Sequence, residues 1–194
     1  MTLTLYGGLR TRASMPRWYM EEKGIAYNFE QLDLSSGEHR QSPFLEINPF
    51  GKLPALVDDK FTDASGQSLK LFESGAILLH LAEQHSNDIK TPVDRSLQSQ
   101  WVLFANSTLA MALFVPSTRE KEFPRLMEQL NKQLNPERPL VGLNWSAADC
   151  AVCAYLAYLP VFFPDIDLQP YPVIKELITL THQRPAYRKA TGKT

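Results

Sequence analysis

The stretch Asn48-Pro-Phe-Gly-Lys-Leu-Pro-Ala-Leu56 decides how the first half of this chain is read. Asn48-Pro49 and Gly51 are turn formers, and the run that follows turns abruptly apolar. Pro54 opens a strand after a turn, which makes the Leu53–Pro54 bond a candidate cis peptide. Working outward, Lys52 to Val57 reads as a third strand and Leu69 to Phe72 as a fourth, with Asp58 to Ser68 as the connection between them. Upstream, Pro43 to Ile47 reads as a short helical turn and Ile25 to Leu34 as a second strand. Ser14 to Lys23 is helical, with Met15, Trp18 and Tyr19 near one face and Gly24 as its stop. Pro16 is tolerated only in a first turn, so this helix is expected to start late or irregularly. Thr2 to Tyr6 is the first strand, and Ser74 to Gln84 a helix with Ile77, Leu78 and Leu81 facing inward. The order β-α-β-α-β-β-α over residues 1–84 predicts an α/β half around one mixed four-stranded sheet.

Beyond Gln84 the pattern changes. Residues 85–95 are polar and read as a linker. Residues 96–194 predict an all-α half, with helices over Ser96 to Leu113, Arg125 to Leu134, Ala147 to Tyr158 and Val173 to Thr181, punctuated by Pro116, Pro124, Pro136, Pro160 and Pro164. The chain has 194 residues, 44% hydrophobic and 21% charged, enough for one or two compact domains with a real core. A net charge of −1 offers no field for nucleic acid or an acidic membrane, so neither is expected as a partner. No secretory leader and no membrane span of about 18 apolar residues are expected. The four His show no metal-ligand spacing, so no metal is expected. Cys150-Ala-Val-Cys153 sits in an apolar helix and reads as two buried thiols of a reduced, cytoplasmic protein rather than as a redox pair.

A second informative stretch is Phe72-Glu73-Ser74-Gly75-Ala76-Ile77, where a strand gives way to a helix. Ser74 is placed to act as an N-cap. The first backbone N–H groups of that helix can hold a carboxylate, and Glu73 can attract an ammonium group. A γ-glutamyl end carries both groups.

Together these stretches resemble the cytosolic glutathione transferase family, whose N-terminal half is thioredoxin-like. The resemblance spans nearly the whole chain. It runs through Leu5-Tyr6, Glu21-Glu22-Lys23-Gly24-Ile25, Asn48 to Leu56, Glu73 to Ile77, Ser146-Ala147-Ala148-Asp149 and Arg184-Pro185-Ala186-Tyr187. Ser146 to Asp149 also reads independently as a capping box with a structural role. The resemblance implies that Glu73 and Ser74 hold the γ-glutamyl group of glutathione. It implies that Leu53, before cis-Pro54, pairs through its backbone with the cysteinyl part, as an added strand does. It places His39 and Lys52 near the glycine carboxylate.

Such an enzyme must present glutathione as its thiolate, whereas a free thiol of pKa about 8.5 is mostly protonated at neutral pH. Where the family commonly keeps Tyr, Ser or Cys, this chain has Arg10. A guanidinium cannot act as a base but can stabilise the anion by charge and hydrogen bond. Thr11 and Ser14 are alternative donors, and Arg12 is expected to pair with an acid. The segment Arg10-Thr-Arg-Ala-Ser14 ahead of Trp18-Tyr19 resembles the chi class described from cyanobacteria. The implied reaction is conjugation of glutathione to a small hydrophobic electrophile, as in detoxification, with Trp101, Phe104 and Met111 as candidate lining and a homodimer as the assembly. A non-catalytic interaction module, or a glutathione-dependent isomerase or peroxidase, fits the same resemblance.

Overall fold

The computed structural model describes residues 2–8 and 10–192, so the outer limits expected for the two halves, residues 1 and 194, lie outside the described residues. Strand β1 (Leu3–Gly7) is central in a four-stranded sheet of order β2-β1-β3-β4, with β2 at Asn28–Gln31, β3 at Ala55–Thr62 and β4 at Ser68–Phe72. β1 and β2 are parallel, and β3 runs antiparallel to both its neighbours. The parallel pair needs a crossover, and helix α1 (Ser14–Lys23) supplies it. This half is the mixed four-stranded sheet that the order of elements predicts, with the thioredoxin-like arrangement that the resemblance implies.

Period-2 burial along β1 puts Leu3 and Leu5 in the core. They meet Met15, Trp18 and Tyr19 of α1, all fully buried. Pro16 is the third residue of α1, after a turn in which the Ser14 N–H reaches the Thr11 carbonyl at 3.3 Å, so the late start is observed. Gly24 ends the helix at φ 64° and donates its N–H to the Met20 carbonyl. Gly7 is required by close approach, since a Cβ there would lie 2.6 Å from the Ala13 Cβ.

Several boundaries differ from expectation. β2 is shorter than 25–34 because only Thr4 to Gly7 of β1 pair with it. β3 starts at Ala55, leaving Lys52 to Pro54 outside the ladder, and continues to Thr62 through the predicted connection. The remaining turn is organised by Asp63, whose Oδ1 accepts from the N–H groups of Ser65 and Gln67 at 2.8 and 3.1 Å.

Helix α2 (Ser74–Gln84) closes the first half. Helix α3 (Pro92–Leu103) starts inside the expected linker, because Thr91 and Asp94 form a capping box and Pro92 is its first residue. It runs through a π-helical segment, Phe104–Leu109, into α4 (Ala110–Phe114). Helix α5 (Pro116–Gln133) begins at one of the prolines read as punctuation and carries another, Pro124, in its interior. This helix therefore starts ahead of the Arg125 expected from the sequence. Next come α6 (Ala147–Leu156), α7 (Leu159–Phe162), α8 (Pro172–Gln183) and a short α9 (Pro185–Ala190) that periodicity did not mark.

Every residue of α6 is buried. The Ser146–Asp149 capping box opens it as expected, with the Asp149 carboxylate accepting from the N–H groups of Ser146 and Leu140. Cys150 and Cys153 are free thiols in this helix, and burial pushes Cys153 up to about 12, so neither is a poised nucleophile. The two halves meet along α1. Trp18 packs against Trp145 and Tyr187 with ring centroids 5.0 and 5.1 Å away, and its Nε1 donates to Glu22, which also pairs with Arg184. Among the described residues no single helix is long and apolar enough to cross a membrane.

Candidate functional site

The turn after β1, the segment leading into β3 and the start of α2 enclose a cavity of about 680 Å³, a volume typical of small-molecule sites. Arg10, Thr11, Lys52, Leu53–Pro54 and Glu73–Ser74 all line it. The fold thus assembles seven of the nine residues that the sequence pointed to, from positions 64 apart in the chain.

The Leu53–Pro54 bond is cis, as is Ser42–Pro43. Because Leu53 precedes the ladder, neither its N–H nor its carbonyl bonds to another described residue, and both are available to an extended ligand. Glu73 is the N-cap of α2, at φ 70° and ψ 117°, a conformation rare for a residue with a side chain. Its carbonyl accepts the Ile77 N–H at 3.0 Å, which leaves the N–H groups of the first turn facing the cavity.

Ser74 corrects the expectation of a side-chain cap. It is the first helical residue, and its hydroxyl donates to Asn106 Oδ1 at 2.8 Å, the same atom that accepts from the Tyr155 hydroxyl at 3.2 Å. Asn106 stands in the π-helical segment, donating its own amide to the Val102 carbonyl at 3.0 Å. Sequence reasoning missed it, since a lone Asn in a helical stretch carries no local signal. The irregular turn and the close approach of Gly75, where a Cβ would be 3.0 Å from Asn106 Nδ2, bring it to α2.

The turn after β1 separates the three candidate donors; Leu9 within it is outside the described residues. The Thr11 hydroxyl donates to the Gly8 carbonyl at 2.9 Å and accepts from the N–H groups of Gly8 and Ala13, so it closes the turn. Ser14 lies outside the cavity lining, with its hydroxyl engaged by Tyr158 at 2.8 Å and by the Thr11 carbonyl at 3.2 Å. Arg10, at φ 56°, is exposed and makes no hydrogen bond or ion pair with any described residue. Arg12 has no acidic partner among them either. Its guanidinium sits 5.8 Å from the centre of the Tyr155 ring, whose hydroxyl burial pushes up to about 12 while Arg12 pulls it down.

Two smaller cavities adjoin the first. One, of about 230 Å³, is shared by Arg10, Thr11 and Arg12 with Phe114, Tyr158 and Phe162. None of the expected Trp101, Phe104 and Met111 lines this cavity: Trp101 and Phe104 pack on each other at 5.6 Å, and Met111 is half exposed. The other, of about 300 Å³, brings His39, Arg40 and Lys52 together beside Leu53. His39 thus lines this side cavity rather than the main one, with its Nδ1 buried and unpartnered among the described residues.

The reading of four scattered His also needs correction. The fold brings His80 and His85 onto the buried carboxylate of Asp58, at 2.8 and 2.7 Å, and none of the three lines these cavities.

Residues 1–83 match the family described as glutathione S-transferase, N-terminal domain, and residues 102–189 the one described as glutathione S-transferase, C-terminal domain. The disulfide-bond oxidoreductase YfcG of Escherichia coli is 33% identical over 90% of this chain and 86% of its own length. Glutathione S-transferase F10 of Arabidopsis thaliana is 29% identical over 82% of this chain and 81% of its own. Among solved structures, a glutathione transferase of Burkholderia graminis, crystallised with two glutathione molecules bound per subunit, superposes with a TM-score of 0.77 at 25% identity, covering 98% of this chain and 87% of that one. The chain belongs to the glutathione S-transferase family.

Proposed function

We propose that the protein is a glutathione transferase that binds glutathione in the main cavity and adds its thiolate to a small hydrophobic electrophile held between Arg10, Arg12 and Phe114. The observation that carries this is Arg10, which pairs with no described residue and lines both cavities, the main one shared with Leu53. The γ-glutamyl carboxylate is held by the first N–H groups of α2 and its ammonium by Glu73. The cysteinyl part pairs with Leu53, and the glycine carboxylate faces His39 and Lys52. The chi-like subclass rests on Arg10 to Ser14 alone. A reducing cytoplasm, where glutathione is kept as thiol, suits such an enzyme. A homodimer is supported by the exposed Phe50 and by Val93 and Leu97 on α3.

The test is capture on immobilised glutathione, conjugation to an aromatic chloride, and molar mass by light scattering on one preparation. Capture, turnover and a mass near twice that of the chain are expected. Capture without turnover would leave a binding module.

A second reading is favoured by the similarity to YfcG, whose name describes disulfide chemistry. The main cavity has no cysteine in its lining, so reduction of a disulfide here needs two glutathione molecules to supply both electrons, forming glutathione disulfide and two thiols. Turnover of a dialkyl disulfide with glutathione, faster than conjugation, would establish it.

Asn106→Ala separates binding from chemistry in either reading. It strips the acceptor from two hydroxyls, of Ser74 and Tyr155, at a cost of about 1–3 kcal/mol if they stay unpaired. The start of α2 loosens, so KM for glutathione is expected to rise about tenfold while kcat changes little. An unchanged KM would show that the α2 terminus does not need this support.

A further inference from the structure

We propose that Asp58, His80 and His85 form a divalent-cation site of zinc type that fastens the C-terminal end of α2 to β3. Asp58 lies inside the sheet, paired with Leu3 on one side and Leu69 on the other, and its side chain is 2% exposed. His80 belongs to α2, and His85 is its C-cap. Five residues along a straight helix turn by about 140° beyond a full circle, so the two imidazoles should diverge. They converge because His85 leaves the helix, at φ −125° and ψ −17°.

Both Nε2 atoms approach the same carboxylate oxygen, Oδ2, at 2.8 and 2.7 Å, and the three atoms lie within 4.8 Å of one another. The carboxylate is oriented from behind, since Oδ1 accepts the Lys60 N–H at 3.0 Å. The Phe61 ring stands edge-on to both imidazoles, with centroids 5.4 and 6.3 Å away, and fixes their planes. The Lys60 ammonium donates to the Gln84 carbonyl at 3.4 Å.

Two imidazoles and one carboxylate are the donor mix of zinc and its first-row neighbours, whereas calcium and magnesium take oxygen ligands. Bond lengths of about 2.0–2.2 Å put neighbouring ligand atoms of a tetrahedron about 3.3 Å apart, so a small rotation of each side chain admits the ion. The His side chains are 13% and 14% exposed, which leaves an edge open for entry and for water as fourth ligand. The site lies in the C-terminal half of α2, about 9–16 Å along the helix from Ser74, so its role is to hold the element whose start lines the main cavity.

The test titrates Zn²⁺ into the untagged, metal-free full chain by calorimetry, and Co²⁺ with visible spectroscopy. One equivalent is expected to bind, with the intense visible bands of four-coordinate cobalt and a rise in thermal midpoint. His80→Gln and His85→Gln keep a donor for Asp58 but lose the imidazole. Each should weaken binding at least tenfold while circular dichroism and glutathione capture remain as in the parent, and His39→Gln should bind like the parent. Absence of saturable one-equivalent binding, or binding that survives in the double His80→Gln/His85→Gln variant, would overturn the proposal.

Discussion

Arg10→Ala is expected to lower kcat/KM for glutathione conjugation about ten- to a hundredfold and to leave the unfolding midpoint unchanged. Loss of a hydrogen bond to a charged group costs about 1.5–3 kcal/mol, which sets that range at one tenfold per 1.4 kcal/mol. Stability is spared because Arg10 is exposed, bonds to no described residue, and occupies φ 56°, which alanine tolerates no better and no worse. The cause should be visible directly. The thiol of bound glutathione, titrated through its ultraviolet absorbance, should ionise well below the free value of about 8.5 in the parent and move back towards it in the variant. Arg10→Lys keeps the charge without the fork and should fall between. Ser14→Ala is the informative control, because that hydroxyl already has Tyr158 and the Thr11 carbonyl as partners. Full activity in Arg10→Ala together with collapse in Ser14→Ala would transfer the role to the hydroxyl.

The main cavity was legible because its parts are local. Pro54 after Leu53 and Glu73 before Ser74 are neighbours in the chain, and each pair announces a backbone arrangement on its own. The bounds of α1 and α2 were legible for the same reason, since Gly24 and the Phe72–Ser74 junction mark them. What stayed hidden is what depends on distant pairing. Strand β3 was read too short because Asp58 and Asp59 look like turn residues, yet Asp58 is buried by the sheet and by two His from the far end of α2. Its hydrogen-bond partners lie 22 and 27 positions away in sequence, so no spacing rule finds them. Pro124 was read as a break because proline removes one helical bond, but the apolar face of Phe123, Met127 and Leu130 packs into the core and carries the helix past it. The small cavity beside Arg10 is lined by aromatics other than Trp101, Phe104 and Met111 because helical periodicity marks a buried face without saying which end of it meets a cavity. Phe114 and Phe162 come from helix ends, where that periodicity stops.

Glu73→Ala is expected to raise KM for glutathione about ten- to a hundredfold with much smaller loss of kcat. The side chain is exposed and lines the cavity beside the free N–H groups that open α2. In the proposed pose its carboxylate takes the ammonium of the γ-glutamyl end, a hydrogen bond between ions worth about 1.5–3 kcal/mol. The contact is remote from the sulfur, so it is made equally in the ground and transition states and its loss appears in KM. Glu73→Gln retains an acceptor without the charge and should lose part of the effect. The backbone supplies an internal control. At φ 70° the residue holds a conformation that costs of order 1–3 kcal/mol, and alanine inherits that cost while glycine does not. Glu73→Gly should therefore be more stable than Glu73→Ala in urea unfolding and yet bind glutathione as poorly. A KM that recovers in the glycine variant would mean that the strained backbone, and not the carboxylate, sets the affinity. A KM that stays near the parent value in all three variants would remove the γ-glutamyl group from this end of α2.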